Sequence, residues 1–245
     1  MTAPVYGLLG SGRLARHLEH YFRAEGMEVR RWARRPERAA NTIDPTEYPD
    51  AEERLLAAVV DCSHVLVLLS DDAIAPFVER HGFLREKILI HCSGAQSIPG
   101  LNGAHPLMTF GPELYGIERY RTVPFVTDAE GLSFPQLFPG LPNPHYPLPA
   151  EKKAFYHACC VVSGNFTGLL WERVFAEFET RLGLPKDVLL PYMEQVFENL
   201  AGAEGVVTGP LVRRDMKTIA RNLDALEGND LKDVYEAFLR LVGIG

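Results

Sequence analysis

PVYGLLGSGRLA, residues Pro4–Ala15, is the stretch on which the fold turns. Pro4–Leu9 is an apolar run of strand length, Gly10, Gly12 and Ala15 follow at G-x-G-x-x-A spacing, and Arg16–Arg23 reads as helix. A strand, a tight glycine turn and a helix in that order make a dinucleotide-phosphate cradle. The first glycine permits the turn, the second lets backbone approach a pyrophosphate, and the small third residue lets helix and strand pack closely. The helix N-terminus supplies the N–H groups that receive the phosphates. Gly10, Ser11, Gly12, Arg13 and Leu14 are therefore the first candidate cofactor contacts, with an ordinary turn as the alternative reading.

Outward from the loop, Met27–Trp32 (MEVRRW) reads as a second strand. At its end an NAD-selective site would carry Asp or Glu, but Ala33, Arg34 and Arg35 stand there. Arginines at this place pair with a ribose 2′-phosphate and stack on adenine, so the pattern points to NADP(H). A solvated basic turn would explain the same residues. Helix-like Ala51–Val60, strand Val65–Leu69, helix Asp72–Arg80, strand Lys87–His91 and strand Thr122–Thr127 then alternate, which predicts a parallel sheet covered by helices on both faces. Ligands in such sheets sit beyond the carboxyl ends of the strands. That rule selects Ser70 and Asp71 after one strand, and Cys92, Ser93 and Gly94 after another. For Ser70 and Asp71 helix capping is an equal alternative. In Ala104–Phe110 (AHPLMTF), His105 is a candidate substrate or cofactor contact, against a loop histidine bonded to backbone.

The chain has 245 residues, 47 % of them apolar and 23 % charged, a globular composition that suits one or two domains. Lys and Arg total 25 against 32 for Asp and Glu, a net charge of −7, which argues against a nucleic-acid partner. No apolar run reaches the roughly 18 residues of a membrane span. The N-terminus lacks a basic n-region and an apolar h-region, and Cys62, Cys92, Cys159 and Cys160 form no CxxC or metal-ligand spacing. We expect a cytoplasmic protein with reduced, mostly buried thiols and no metal.

Leu141–Pro149 (LPNPHYPLP) carries four prolines in nine residues, so it reads as an extended connector, and a domain boundary is expected at 148/149. Beyond it strand periodicity vanishes. Helices are expected near Glu151–Leu182, Lys186–Leu200, Gly209–Leu226 and Asp230–Val242, with Asn229 and Asp230 as N-cap residues of the last. The fold class expected is thus α/β: a dinucleotide-binding domain over residues 1–148, then an all-α domain for substrate binding and dimerisation over 149–245. Ala158–Ser163 (ACCVVS) offers hardly any charged face and predicts a buried helix, completed by pairing with a second subunit as a homodimer. Lys153, His157 and Asn165 fall four and eight residues apart on one side of that helix, near Gly164, and are candidate donors to a substrate carbonyl and carboxylate. A hydrogen-bonded core histidine is the alternative for His157. In Val207–Lys217 the glycine-proline break followed by Arg213, Arg214 and Asp215 reads as a helix-helix corner in which Asp215 caps the next helix.

GLLGSGRLA, HCSGA, AHPLMTF, FYHACCVVSGN, LLPYMEQVFENL and VTGPLVRRDMKTIARNLDAL together make the chain similar to bacterial Rossmann-like proteins with a C-terminal helical domain of unknown function, of NADP- or F420-dependent oxidoreductase type. The resemblance covers nearly the whole chain. It implies a dimeric relative of the 6-phosphogluconate dehydrogenase, pyrroline-carboxylate reductase and ketopantoate reductase group, whose members use Lys or Asn on the long helix after the Rossmann domain to bind or protonate substrate. The family's Tyr-His and Asn correspond to Tyr156, His157 and Asn165, and no lysine aligns, since Lys152 and Lys153 precede the apolar stretch. The implied activity is reduction of a small carbonyl or imine by NADPH at an interdomain cleft, with His157 as proton donor, Asn165 orienting the carbonyl and His105 as reserve acid. A sensor or scaffold that binds NADP(H) without transferring hydride is the competing reading, and F420 in place of NADP the third.

Overall fold

The computed structural model describes residues 3–34, 51–202 and 208–244. Seven strands, β1 (Val5–Leu9), β2 (Glu28–Trp32), β3 (His64–Val67), β4 (Ile88–His91), β5 (Asn102–Pro106), β6 (Phe125–Asp128) and β7 (His145–Leu148), form one sheet in the order β2-β1-β3-β4-β5-β6-β7. Strands β2 through β5 are parallel to their neighbours, β5 and β6 pair antiparallel, and β7 is parallel to β6. Helices α1 (Arg13–Ala24), α2 (Ala51–Val59), α3 (Asp71–Arg80), α4 (Ile117–Arg121) and α5 (Phe134–Leu137) connect or cover them. The alternating pattern is thus realised as an α/β Rossmann-type sheet. Side chains alternate across it, so Leu8, Leu66 and Ile90 enter one core while Leu9, Val65, Val67 and Leu89 enter another. Each fully buried side chain of this kind stabilises the fold by about 1.5–3 kcal/mol, which is why strands covered on both faces read as unbroken apolar runs.

Register places the carboxyl ends of β2, β1, β3 and β4 in one row, which meets β5 at its second residue. Trp32 pairs with Leu9, Leu9 with Val67, Val67 with His91 and His91 with Gly103. Residues just past this row form the edge at which such sheets bind ligands.

Two strands escape the periodicity of the sequence. β5 (NGAHP) contains glycine and proline. Its Gly103 is required by space, because a Cβ there would lie 2.5 Å from both carboxylate oxygens of Asp128 and 2.6 Å from Lys153 Nζ. β7 lies inside the proline-rich connector, which is extended as expected, and its Pro147 is tolerated because β7 is the edge strand, where a missing N–H breaks no inner ladder.

The chain divides into two compact units, residues 1–170 and 171–245. The composition changes at 148/149, but the start of the long helix stays with the first unit. There α6 (Lys153–Cys160) is joined to the sheet by an ion pair from Lys153 to Asp128 and by a bond between Tyr156 and His105. A π-helical segment, Val161–Phe166, follows α6 and leads into α7 (Thr167–Arg181). The second unit holds α8 (Leu190–Gly202), α9 (Met216–Ala225) and α10 (Leu231–Leu241), with a small core of Ile219, Leu239 and Ile244. Asp215 caps α9 as expected, accepting from the Thr218 backbone N–H at 3.1 Å and its hydroxyl at 2.8 Å, and α9 starts at 216 rather than near Gly209 because of that cap. Asp230 holds the N-cap position of α10 without a side-chain capping bond among the described residues, and Asn229 before it accepts from the Leu231 N–H at 2.9 Å.

The apolar helix around Ala158–Ser163 is largely exposed in the single chain: Phe155 is 76 % and Val162 59 % exposed, and α7 and α8 contain no buried residue. Apolarity marks a surface that gains from being covered, but does not say by what. Cys159 is likewise exposed and Cys160 half-buried, whereas Cys62 and Cys92 are buried as expected. Among the described residues no helix is long and apolar enough to cross a membrane.

Candidate functional site

The glycine turn has the geometry of a phosphate cradle. Gly10 has φ +152°, and a Cβ there would lie 2.3 Å from the Leu68 carbonyl oxygen, so only glycine fits. Its N–H is bonded to Trp32 O at 2.8 Å, which pins the turn between β2 and β3. Gly12 is the N-cap of α1 in extended conformation, and among the described residues nothing lies within 4 Å of where its Cβ would be. Open space before a helix N-terminus that has no capping side chain suits an incoming anion. Arg13 is exposed, Leu14 packs its side chain against the core, and Ala15 is buried under the turn. Leu14 can therefore contribute only backbone.

Beside the cradle is a cleft of about 450 Å³, within the range of small-molecule sites. Gly10 and Ser11 form one end, Ser70 starts its α3 wall, and Ala33 and Arg34 form its β2 side. Arg80 also lines it, a residue that sequence reading does not single out. Arg35 lies outside the described residues. Ser70 occupies the N-cap position of α3 without a capping side-chain bond, which leaves its hydroxyl available to the cleft.

At the next strand ends the assignments diverge. Cys92 packs its side chain in the core, where burial pushes the thiol up to about 12, which leaves its backbone as the part at the strand end. Ser93 is 5 % exposed. Its hydroxyl donates to Asp71 Oδ2 at 2.8 Å and accepts from the N–H groups of Ala95 and Gln96 at 3.3 and 3.2 Å. This clasp fixes the Gly94 loop against α3. A Cβ on Gly94 would lie 2.8 Å from His157 Cδ2 and 3.2 Å from the His105 ring, so both imidazoles stand against this backbone.

His105, Tyr156 and His157 form a side-chain cluster. His105 Nδ1 and the Tyr156 hydroxyl are 2.8 Å apart, and the two histidine rings lie 6.2 Å apart, nearly perpendicular at 84°. Burial, then the charges of His157 and Lys153, lower the His105 pKa to about 4, so the ring is neutral at pH 7. Burial and the Cys160 thiol keep Tyr156 a protonated phenol. The backbone-bonded loop histidine weighed for His105 is thereby replaced by a side-chain pair. Asn165 is exposed in the π-helical segment, and its side chain makes no hydrogen bond among the described residues.

Lys153 is 3 % exposed and its ammonium donates to Asp128 Oδ1 at 2.6 Å, while Gly103 N–H donates to Asp128 Oδ2 at 2.7 Å. The ammonium is therefore committed to the carboxylate at the end of β6 instead of facing a substrate with His157. His91 is fully buried beside the same carboxylate, with Nε2 3.9 Å from Asp128 and neither ring nitrogen hydrogen-bonded among the described residues. Burial first, then the Lys153 charge, lowers its pKa to about 4. Asp128 carried only a weak signal in sequence, an acid at the end of a strand.

Residues 129–241 match DUF2520, a domain of unknown function. The DUF2520 segment begins directly after β6 and takes in Lys153, Tyr156 and His157, whereas the glycine cradle precedes it. Among solved structures, an NADP oxidoreductase-like protein of Bacteroides fragilis is 20 % identical, with a TM-score of 0.73 over 98 % of each chain. Pyrroline carboxylate reductase of Plasmodium falciparum, solved with NADP bound, is 12 % identical with a TM-score of 0.59, covering 98 % of this chain and 96 % of its own. An imine reductase of Streptomyces aurantiacus is 15 % identical with a TM-score of 0.62, covering 96 % and 93 %. Likeness at these identities establishes the fold along the length of both chains. No curated protein matches the chain.

Proposed function

We propose that the protein is an NADP(H)-dependent oxidoreductase that reduces a small carbonyl or imine. The observation that carries this reading is the placement of the parts. The glycine cradle, the arginine-edged cleft and the His105–Tyr156–His157 cluster all stand just past one register row of parallel strands. The similarity to reductases solved with NADP supports the choice of cofactor.

NADPH, when bound, supplies the hydride. Gly10, Gly12 and the first N–H groups of α1 hold the pyrophosphate, and Arg34, with Arg35, meets the ribose 2′-phosphate. Ser70 and the clasped Asp71–Ser93 pair shape the backbone beyond it. His157 hands a proton to the developing alkoxide oxygen or amine nitrogen. Neutral His105, held by Tyr156, stands beside the His157 ring and holds no acidic proton to give at pH 7, so the reserve-acid role falls away and His157 is the donor. The substrate is a small molecule, and we infer a cytoplasmic homodimer in which the exposed apolar side chains of α6, α7 and α8 are covered.

The test is NADPH oxidation with a panel of cyclic imines and 2-oxo acids. Turnover of a panel member should fall about 10²–10⁴-fold in kcat for His157→Ala, with NADPH affinity nearly intact. Unchanged turnover in that variant removes His157 from the mechanism. A wild-type protein that binds NADPH and oxidises it with none of the panel favours a non-catalytic NADP(H) sensor.

A further inference from the structure

The cleft beside the glycine cradle has a cation on each wall. Ser70, Ala73, Phe77 and Arg80 all line it, at spacings of three, four and three residues, which is one face of α3. That face is a rail about 15 Å long, from Ser70 beside the cradle to Arg80 at the far end. The opposite wall is the end of β2, with Trp32 and Arg34. Trp32 and Phe77 meet across the base with ring centroids 5.7 Å apart. Two exposed guanidiniums thus edge one aromatic-based cleft, and neither is in an ion pair among the described residues.

We propose that Arg80 is a specificity-determining residue that closes with Arg34 on the 2′-phosphate of the bound dinucleotide. The inference rests on the NADP(H) reading and adds to it a residue 46 positions along the chain from Arg34. A ribose 2′-phosphate carries close to two negative charges at pH 7, and its oxygens accept several hydrogen bonds. Arg34 comes from the end of β2, and a guanidinium from α3 adds a further charge and planar fork from a second element of the cleft. A helix-terminal arginine also favours the helix dipole, but that role needs no cleft.

The experiment uses the purified full-length protein as wild type, Arg80→Ala, Arg80→Lys and, as a surface control, Arg119→Ala. Dissociation constants are measured by thermal shift and calorimetry for NADPH, NADH, adenosine 2′,5′-bisphosphate and AMP. Arg80→Ala should weaken NADPH and adenosine 2′,5′-bisphosphate about 10- to 100-fold while leaving NADH and AMP within about twofold. Arg80→Lys should fall between, because it keeps the charge and loses the fork. Arg80 is exposed, so the melting of the unliganded variant should match wild type. Equal weakening of NADPH and NADH would place Arg80 on the adenine and overturn the proposal, as would no change in either, with the NADP(H) reading left standing. A wild-type protein stabilised by no dinucleotide would remove that reading and this one together.

Discussion

Replacing Lys153 by methionine keeps the length of the side chain and deletes its charge, leaving the Asp128 carboxylate buried with the Gly103 N–H but no counter-ion. The pair has side-chain exposures of 3 % and 10 %, so solvent cannot take over that role. Removing one member of a buried pair costs about 3–5 kcal/mol, a large part of a total stability of about 5–15 kcal/mol. With melting shifts of about 2–4 °C per kcal/mol for a chain of this size, Lys153→Met should melt about 6–20 °C lower. Asp128→Asn combined with Lys153→Met removes the orphaned charge and keeps an acceptor for Gly103, so it should recover more than half of the loss. Urea unfolding of wild type, both single variants and the double variant closes a cycle and yields the coupling directly. A loss below about 1 kcal/mol in Lys153→Met, or a double variant no better than the single, would refute the idea that this pair tethers α6 to the sheet from within a dry interior.

Acid should unfold the protein from the histidines first. His91 and His105 both titrate near 4 in the fold, below the 6.5 of an unfolded chain, so the unfolded state takes up protons first as pH falls. Their contribution is complete above pH 6.5 and lost progressively down to about pH 4, up to about 3 kcal/mol each. A His91→Gln, His105→Gln double variant should flatten that slope, and an unchanged slope in urea melts across pH 7 to 4 would assign it elsewhere. The two loop glycines should separate folding from binding. Gly10→Ala meets Leu68 O and a positive φ, and should cost about 3 kcal/mol or more in a melt. Gly12→Ala meets no described residue and should melt like wild type, yet lose NADPH binding because its methyl fills the approach to the helix N-terminus. Intact binding in Gly12→Ala would take the pyrophosphate away from this turn.

Features that depend on neighbours along the chain were legible without a structure. The G-x-G-x-x-A turn, the apolar runs of β1, β3 and β4, the caps of α9 and α10 and the extended proline segment all follow from spacing of a few residues, which fixes local backbone and a buried face. His105 and His157 could be named as candidates for the same reason, one beside a proline turn and one on a helix. Which groups meet was decided by tertiary structure. Lys153 is drawn to Asp128, 25 residues away, Asp71 to Ser93 across 22, and His105 to Tyr156 across 51. None of these distances has a period. Sidedness beyond the strand ends was equally hidden: Cys92 follows β4 as Ser93 does, but its thiol enters the core while the Ser93 hydroxyl turns to Asp71. Arg80 becomes part of a site only because ten residues of α3 run along the cleft that starts at Gly10. Local sequence sets which surfaces and charges a segment offers, whereas desolvation makes each buried charge or polar group take a partner that only the folded chain can bring to it.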